Sequence, residues 1–210
     1  TITPTDTPAT IVIEKNTQFS SSVGGISYLF GTSNSVTLNV NSNGVYTTAN
    51  VELNQGIPLT HKYTANTKSP DQQFLLPNSN TDTSTLTVQI QTSAEDSTTF
   101  TYAMANDTTA VTATSNVYFL EESEDGKYEV LFGDNVIGRK PVTGNVILLS
   151  SMIADADNPN GAATFAPVSS VGGYSIVSVS TLGVASGGAE RDSIKEIKFN
   201  APRSYQAQNR

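Results

Sequence analysis

One histidine, His61, stands between Thr60 and Lys62, and any imidazole-dependent reaction would have to use it. A Ser-His-Asp relay needs an activated serine beside the ring, and the sequence offers no nucleophile elbow. On an alternating strand His61 shares a face with Leu59 and Tyr63, which reads as a structural or surface histidine. There is no cysteine, so disulfides, thiolate metal sites and a cysteine nucleophile are excluded. A single imidazole also rules out most zinc hydrolases.

Carboxylates gather in two places. The run Glu121-Glu122-Ser123-Glu124-Asp125-Gly126 holds four in six residues. Glycosidases use two carboxylates facing each other across a sugar ring, and neighbours on one hairpin tip cannot bracket a substrate. The run reads as a solubilising tip that also discourages edge pairing. The second place, Asp155-Ala156-Asp157-Asn158-Pro159-Asn160-Gly161, hints at a calcium loop. Proline takes its fifth position, glycine arrives one residue late, and Ala166 holds the closing position where a bidentate glutamate belongs. A solvated loop is expected there.

The most specific stretch runs from Tyr128 through Phe132, Gly133, Asp134, Gly138, Pro141 and Gly144 to Ile147. It reads as a strand, a tight loop and a second strand, with glycines at the reversals and Asp134 able to accept from local backbone amides. A phosphate loop is the competing reading. It fails because neither a Gly-Lys-Ser/Thr nor a helix follows.

These residues need elements to position them, and the chain supplies strands. It has 210 residues and 22.2 kDa, enough for one large domain or two small ones. Of its 28 threonines, 25 precede residue 115, and β-branched side chains suit a pleated surface. In 84–91, Leu86, Val88 and Ile90 share one face. Similar runs occupy 9–14, 35–40, 45–53, 59–65, 99–103, 116–120, 127–132, 146–153 and 174–182. Asn41-Ser42-Asn43-Gly44 and Glu124-Asp125-Gly126 supply hairpin turns, and looser loops lie at 54–56, 69–71, 77–80 and 157–161. The expectation is a mainly β protein: an antiparallel, sandwich-like domain over 1–150 and a smaller α+β segment over 151–210. One short helix is expected near 189–199, with a strand over 194–199 as the alternative. The helix has its acidic residues early and its lysines late, and Asn200-Ala201-Pro202 is expected to end it. A net charge of −8 argues against binding a phosphate backbone. No apolar run approaches the length of a membrane span and no signal-peptide pattern opens the chain. The start at Thr1 and the stop after Asn209-Arg210 suggest a fragment of a longer protein.

The ordered pattern strand, Phe-Gly-Asp-x-x-x-Gly-x-x-Pro-x-x-Gly-x-x-Ile resembles the baseplate J-like family of contractile-tailed bacteriophages, and within it the baseplate wedge subunits of T-even-type phages. Further segments carry the likeness: 9–17 leading into an early hairpin at Phe19 and Tyr28-Leu29-Phe30; 73–78 before 82–88; 116–120 running into 121–126; and Gly187-Gly188, Asp192-Ser193-Ile194 and 200–210 as an exit into a following domain. Together they span most of residues 9–210. The family usually has glycine where Asn135 stands. The resemblance implies a structural subunit, not an enzyme, with no cofactor, in the virion's tail baseplate and assembled in the host cytoplasm. It implies joining of wedges into a ring through homo-oligomeric (dimer) contacts and contacts with other wedge proteins, without nucleic acid or membrane. The segment after Ile153 is more apolar, and Ile194, Ile197 and Phe199 are the candidate interface. The alternative is a β-sandwich module of a surface or fibre protein that binds a ligand or glycan, with or without calcium.

Overall fold

The computed structural model describes residues 1–2, 6, 8–48, 50–69, 72–123 and 125–207, with backbone alone at 194 and 203–207. The molecule is mainly β. Its strands are β1 Thr10–Ile13, β2 Gln18–Val23, β3 Ile26–Thr32, β4 Val36–Asn39, β5 Leu53–Gln55, β6 Ile57–Thr64, β7 Leu75–Leu76, β8 Thr81–Gln91, β9 Thr99–Met104, β10 Val117–Glu122, β11 Tyr128–Phe132, β12 Val146–Ile153 and β13 Ala166–Pro167. One helix, α1 Ile194–Ala207, follows.

A seven-stranded sheet in the order β6-β12-β8-β9-β10-β11-β7 surrounds one core. Its neighbours are antiparallel except β9 and β10, which run parallel at Val117↔Ala103 and Tyr118↔Met104. The alternation along 84–91 has the expected result. Val88 and Ile90 are buried and Leu86 packs beside them, joined by Ala65, Leu76, Tyr102, Tyr118, Val130, Ile147 and Leu149. Strand β12, flanked by β6 and β8, buries Val146 and Ile147 in succession, so both of its faces are covered there. The sheet curls until its edges meet: the Tyr63 hydroxyl on β6 donates to the Leu75 carbonyl on β7 at 2.6 Å. Edge-to-face rings continue from Tyr63 to Phe74, Phe132 and Tyr102, with centroids 5.8, 5.5 and 5.6 Å apart.

A second core belongs to the β1–β4 ribbon and a four-stranded sheet ordered β13-β2-β3-β5. An early hairpin is present as β2 and β3, in register from Gln18↔Gly31 to Val23↔Ile26 around Gly24-Gly25. Ile2, Ile11, Ile13, Phe19, Leu38, Tyr46 and Val171 fill this core, with Phe165, Tyr174 and Val177 packed against it. Burying each large apolar side chain contributes about 1.5–3 kcal/mol. Residues 165–177 therefore cover the N-terminal core, while the position expected as a boundary, 150/151, lies inside β12.

Three expectations are corrected. Residues 45–53 form no continuous strand: Tyr46 makes single bridges to Ile2 and Val40, and β5 starts only at Leu53. Residues 174–182 alternate as a strand would, but among the described residues they make only the isolated bridges Val171↔Tyr174 and Ile2↔Val177 and belong to no named strand. The helix begins later than expected and does not stop at Pro202. Ser193 and Glu196 form a capping box, with the Ser193 amide donating to Glu196 Oε2 at 2.8 Å and the Glu196 amide donating to Ser193 Oγ at 3.3 Å. The helix then continues to Ala207 with Pro202 inside, the last turn holding no basic residue. A proline removes one helical hydrogen bond and crowds the preceding turn, and residues 195–202 are exposed, which leaves room to bend there. No helix among the described residues is long and apolar enough to cross a membrane.

Candidate functional site

The sequence motif becomes a loop between β11 and β12. Phe132 ends β11 with its ring in the aromatic row, and the chain then reverses at Gly133. A Cβ on Gly133 would lie 2.2 Å from the Gly138 carbonyl oxygen, so the two ends of the turn close only around glycine. Gly138 has φ +87° and itself abuts Val117. Asn135 takes φ +72°, a left-handed position that asparagine tolerates.

The loop's polar groups are spent on the fold. Asp134 Oδ1 accepts from the amides of Val136 at 2.9 Å and Ile137 at 3.0 Å. Those backbone bonds, Ile137 foremost, hold its carboxyl below the ordinary value, so it stays ionised and carries no proton near neutrality. Asn135 Oδ1 accepts from the Lys140 amide at 2.9 Å. The Gly138 amide donates to the Thr112 carbonyl at 3.1 Å and the Arg139 amide to Ser115 at 2.9 Å. At the far end, Gly144 donates to Ala65 at 2.9 Å, and Asn145 Nδ2 donates to the Thr92 carbonyl at 2.8 Å. Pro141 is buried. Three apolar side chains face solvent, Val136 at 70% exposed, Ile137 at 45% and Val142 at 61%, with Asp134, Asn135, Arg139, Lys140 and Thr143 exposed beside them. Such an arrangement can make contact through its apolar side chains.

The other candidates are dispersed. His61 is half-buried in register with Leu149, and its Nε2 is buried without a hydrogen-bond partner among the described residues. The Asp155 carboxylate accepts from Gln55 Nε2 at 2.7 Å while its amide donates to Gln55 Oε1 at 2.9 Å. Asn160 exchanges bonds with Gly188 at 2.8 and 3.1 Å. The loop expected to be merely solvated thus fastens distant segments together. The acidic hairpin tip, whose Glu124 lies outside the described residues, receives Arg191. Its guanidinium donates to Glu122 at 3.1 Å and to the Gly126 carbonyl at 2.6 Å, and lies 5.0 Å from the centre of the Tyr128 ring. On α1, Ile197 is 51% and Phe199 62% exposed, and the side chain of Ile194 lies outside the described residues. No group of three or more metal-ligating His, Asp or Glu occurs among the described residues.

Sequence reasoning missed a cleft of about 290 Å³ between the two sheets, lined largely by hydroxyls. Ser33, which follows β3, and Ser151, on β12, are among its lining residues. The one trace in the sequence was Ser150-Ser151, a polar pair inside the apolar run of β12. No protein-family model and no curated protein matches the chain.

Proposed function

We propose that the chain is a structural subunit of a contractile phage tail baseplate wedge, placed in the virion and joining wedges through contacts with its own copies and with other wedge proteins. The likeness of residues 128–147 to the baseplate J-like family supplies the identity of the assembly. One observation carries the mechanical part: a loop whose hydrogen bonds turn inward while Val136, Ile137 and Val142 turn outward. Burying those three side chains against a partner is favourable at about 25 cal/mol per Å² of apolar surface, and the internal bonds spare the loop an ordering penalty on binding. The role is one of shape and contact, without catalysis or cofactor. Ile197 and Phe199 on α1 form a second contact surface.

Sedimentation at several concentrations, with and without calcium, tests this. The expected result is a concentration-dependent dimer or larger species that ignores calcium and weakens roughly tenfold or more in Ile137→Asp or Ile197→Asp, the scale of loss when a contact side chain is replaced by a charge. A monomer at every concentration, or association indifferent to both substitutions, removes the self-contact from the proposal. A second reading, a β module that binds a small ligand, is favoured by the hydroxyl-lined cleft.

A further inference from the structure

We propose that the outer edge of β5 is a strand-addition site. It takes an extended segment of a partner protein, apolar at alternate positions and carrying a cationic residue. The site is separate from the surfaces proposed for wedge contacts, since no residue of the 133–145 loop or of α1 lines it.

The carrying observation is a sheet edge left open beside a groove. β5 lies at one side of the four-stranded sheet and pairs only with β3. The Ser33 amide donates to the Glu52 carbonyl at 3.0 Å, and the Gly56 amide to the Leu29 carbonyl at 2.9 Å. Antiparallel pairing alternates, so residues 52, 54 and 56 bond toward β3, and the amides and carbonyls of Leu53 and Gln55 point away from it. The same alternation on β3 sends the Thr32 amide the other way, to the Thr17 carbonyl at 3.1 Å. Among the described residues nothing pairs with the outward groups of Leu53 and Gln55. Both residues are half-buried, a setting in which backbone groups are seldom left unpaired, and an open row of this kind templates a further strand.

The groove measures about 620 Å³ and is lined by two unbroken runs, residues 50–55 and 177–188. Side chains alternate between faces along a strand, so successive residues such as 53–55 line a groove that follows the strand's edge. The second run is held at two points. The Ser178 amide donates to the Thr1 carbonyl at 2.9 Å and the Ala185 amide to the Ala162 carbonyl at 2.8 Å. Between them, residues 179–184 make no hydrogen bond among the described residues. Two lengths of unpaired backbone thus border one groove.

The lining sets the chemistry of the segment. Phe19, Leu38, Leu53 and Phe165 belong to the N-terminal core and also line the groove. On the second run Leu182 is 74% and Val184 59% exposed. These surfaces suit apolar side chains two positions apart, as a strand presents them on one face. Glu52 and Asp82 are the charged side chains of the lining, and neither has an ion-pair partner among the described residues. The Thr1 ammonium is taken up by the Ser178 carbonyl at 2.8 Å. A lysine or arginine on the incoming segment therefore complements the groove, whereas a second copy of this chain would bring its net charge of −8.

The test selects peptides of about ten residues from a displayed random library on the whole chain. The enriched peptide is then titrated and followed by amide NMR and hydrogen exchange. It should carry apolar residues at alternate positions with at least one Lys or Arg, and saturate below about 1 mM. Exchange should slow at Leu53 and Gln55 and stay unchanged at Asn54, whose amide β3 already holds. N-methylation of every second peptide amide, tried in both phases, should abolish binding in at least one, since main-chain bonds carry strand addition. Glu52→Lys should weaken binding about threefold at low salt and less at high salt. Selection without an alternating basic sequence, no slowing at Leu53 and Gln55, full binding by both N-methylated phases, or unchanged affinity in Glu52→Lys overturns the inference. So does a dimeric mass in sedimentation with these two amides already protected in the free chain, which makes the occupant a second copy. Ile137→Asp and Ile197→Asp should bind the peptide as the parent does, so a failure here is distinct from a failure of the wedge contacts.

Discussion

Asn135 shows how much one backbone angle decides. At φ +72° an asparagine is tolerated where a residue with a bulkier Cβ is not, and its side chain also caps the Lys140 amide. Asn135→Ala keeps the strain and loses that acceptor, so a loss of about 1–2 kcal/mol is expected in urea unfolding. Asn135→Gly relieves the angle while losing the same bond, and should lie within about 1 kcal/mol of the parent. Equal losses in the two variants would mean the left-handed angle is not what the loop requires. Beside it, Asp134 couples the loop to acid. Its folded carboxyl titrates below the ordinary value because backbone amides favour the anion, so its contribution is complete above the unfolded value near about 3.9 and disappears as pH falls through the folded value. Asp134→Asn should therefore be less stable than the parent above about pH 5, with the difference shrinking as pH drops below about 4. A gap that stays constant across that range would assign the loss to packing instead.

Among elements, the curled sheet is held shut at its seam by one phenol. Tyr63 bridges the two edge strands, and burial raises its pKa, so it remains a neutral donor. Tyr63→Phe keeps the ring against Phe74 and removes the bond; a loss of about 1 kcal/mol is expected. Hydrogen exchange should quicken at the β7–β11 amides and stay unchanged on β12, and uniform quickening would mean that the seam is not a local closure. The strands that were legible in sequence are those whose alternation meets a neighbour. Leu86, Val88 and Ile90 alternate and are flanked by β9 and β12. Residues 174–182 alternate as well but form only isolated bridges among the described residues, since periodicity reports a face and not a partner. β2 was hidden for the opposite reason: Ser20, Ser21 and Ser22 blur its alternation, and pairing with β3 forms it. Pro202 looked like a stop because proline is disfavoured inside a helix, yet the helix continues through it to Ala207. The motif loop was readable because its glycines and Asp134 are local. Ser33 and Ser151 lie more than a hundred positions apart, and only the tertiary fold brings them to one cleft.

At the scale of the molecule, the two cores draw on the chain differently. The seven-stranded sheet's core is drawn from residues 63–149, whereas the N-terminal core joins Ile2 to Val171 across nearly the whole sequence. The later segment is tied down by backbone bonds, among them the Ser178 amide to the Thr1 carbonyl at 2.9 Å and the Ala185 amide to Ala162 at 2.8 Å. Covering is thus asymmetric: the sheet is complete without the tail, and the ribbon and four-stranded sheet are not. A chain ending at residue 156 retains every strand from β1 to β12 but loses Phe165, Val171, Tyr174 and Val177 from the N-terminal core. Deleting four apolar side chains from one small core removes more than that core can hold in reserve, at about 1.5–3 kcal/mol each for those fully buried. Methyl NMR should then show Val88, Ile147 and Leu149 native while Ile11, Ile13 and Leu38 lose their dispersion. If instead all six collapse together, the two cores form one cooperative unit. If all six persist, the tail contributes no cover that the first core needs. In either case the asymmetry argued from these contacts is wrong.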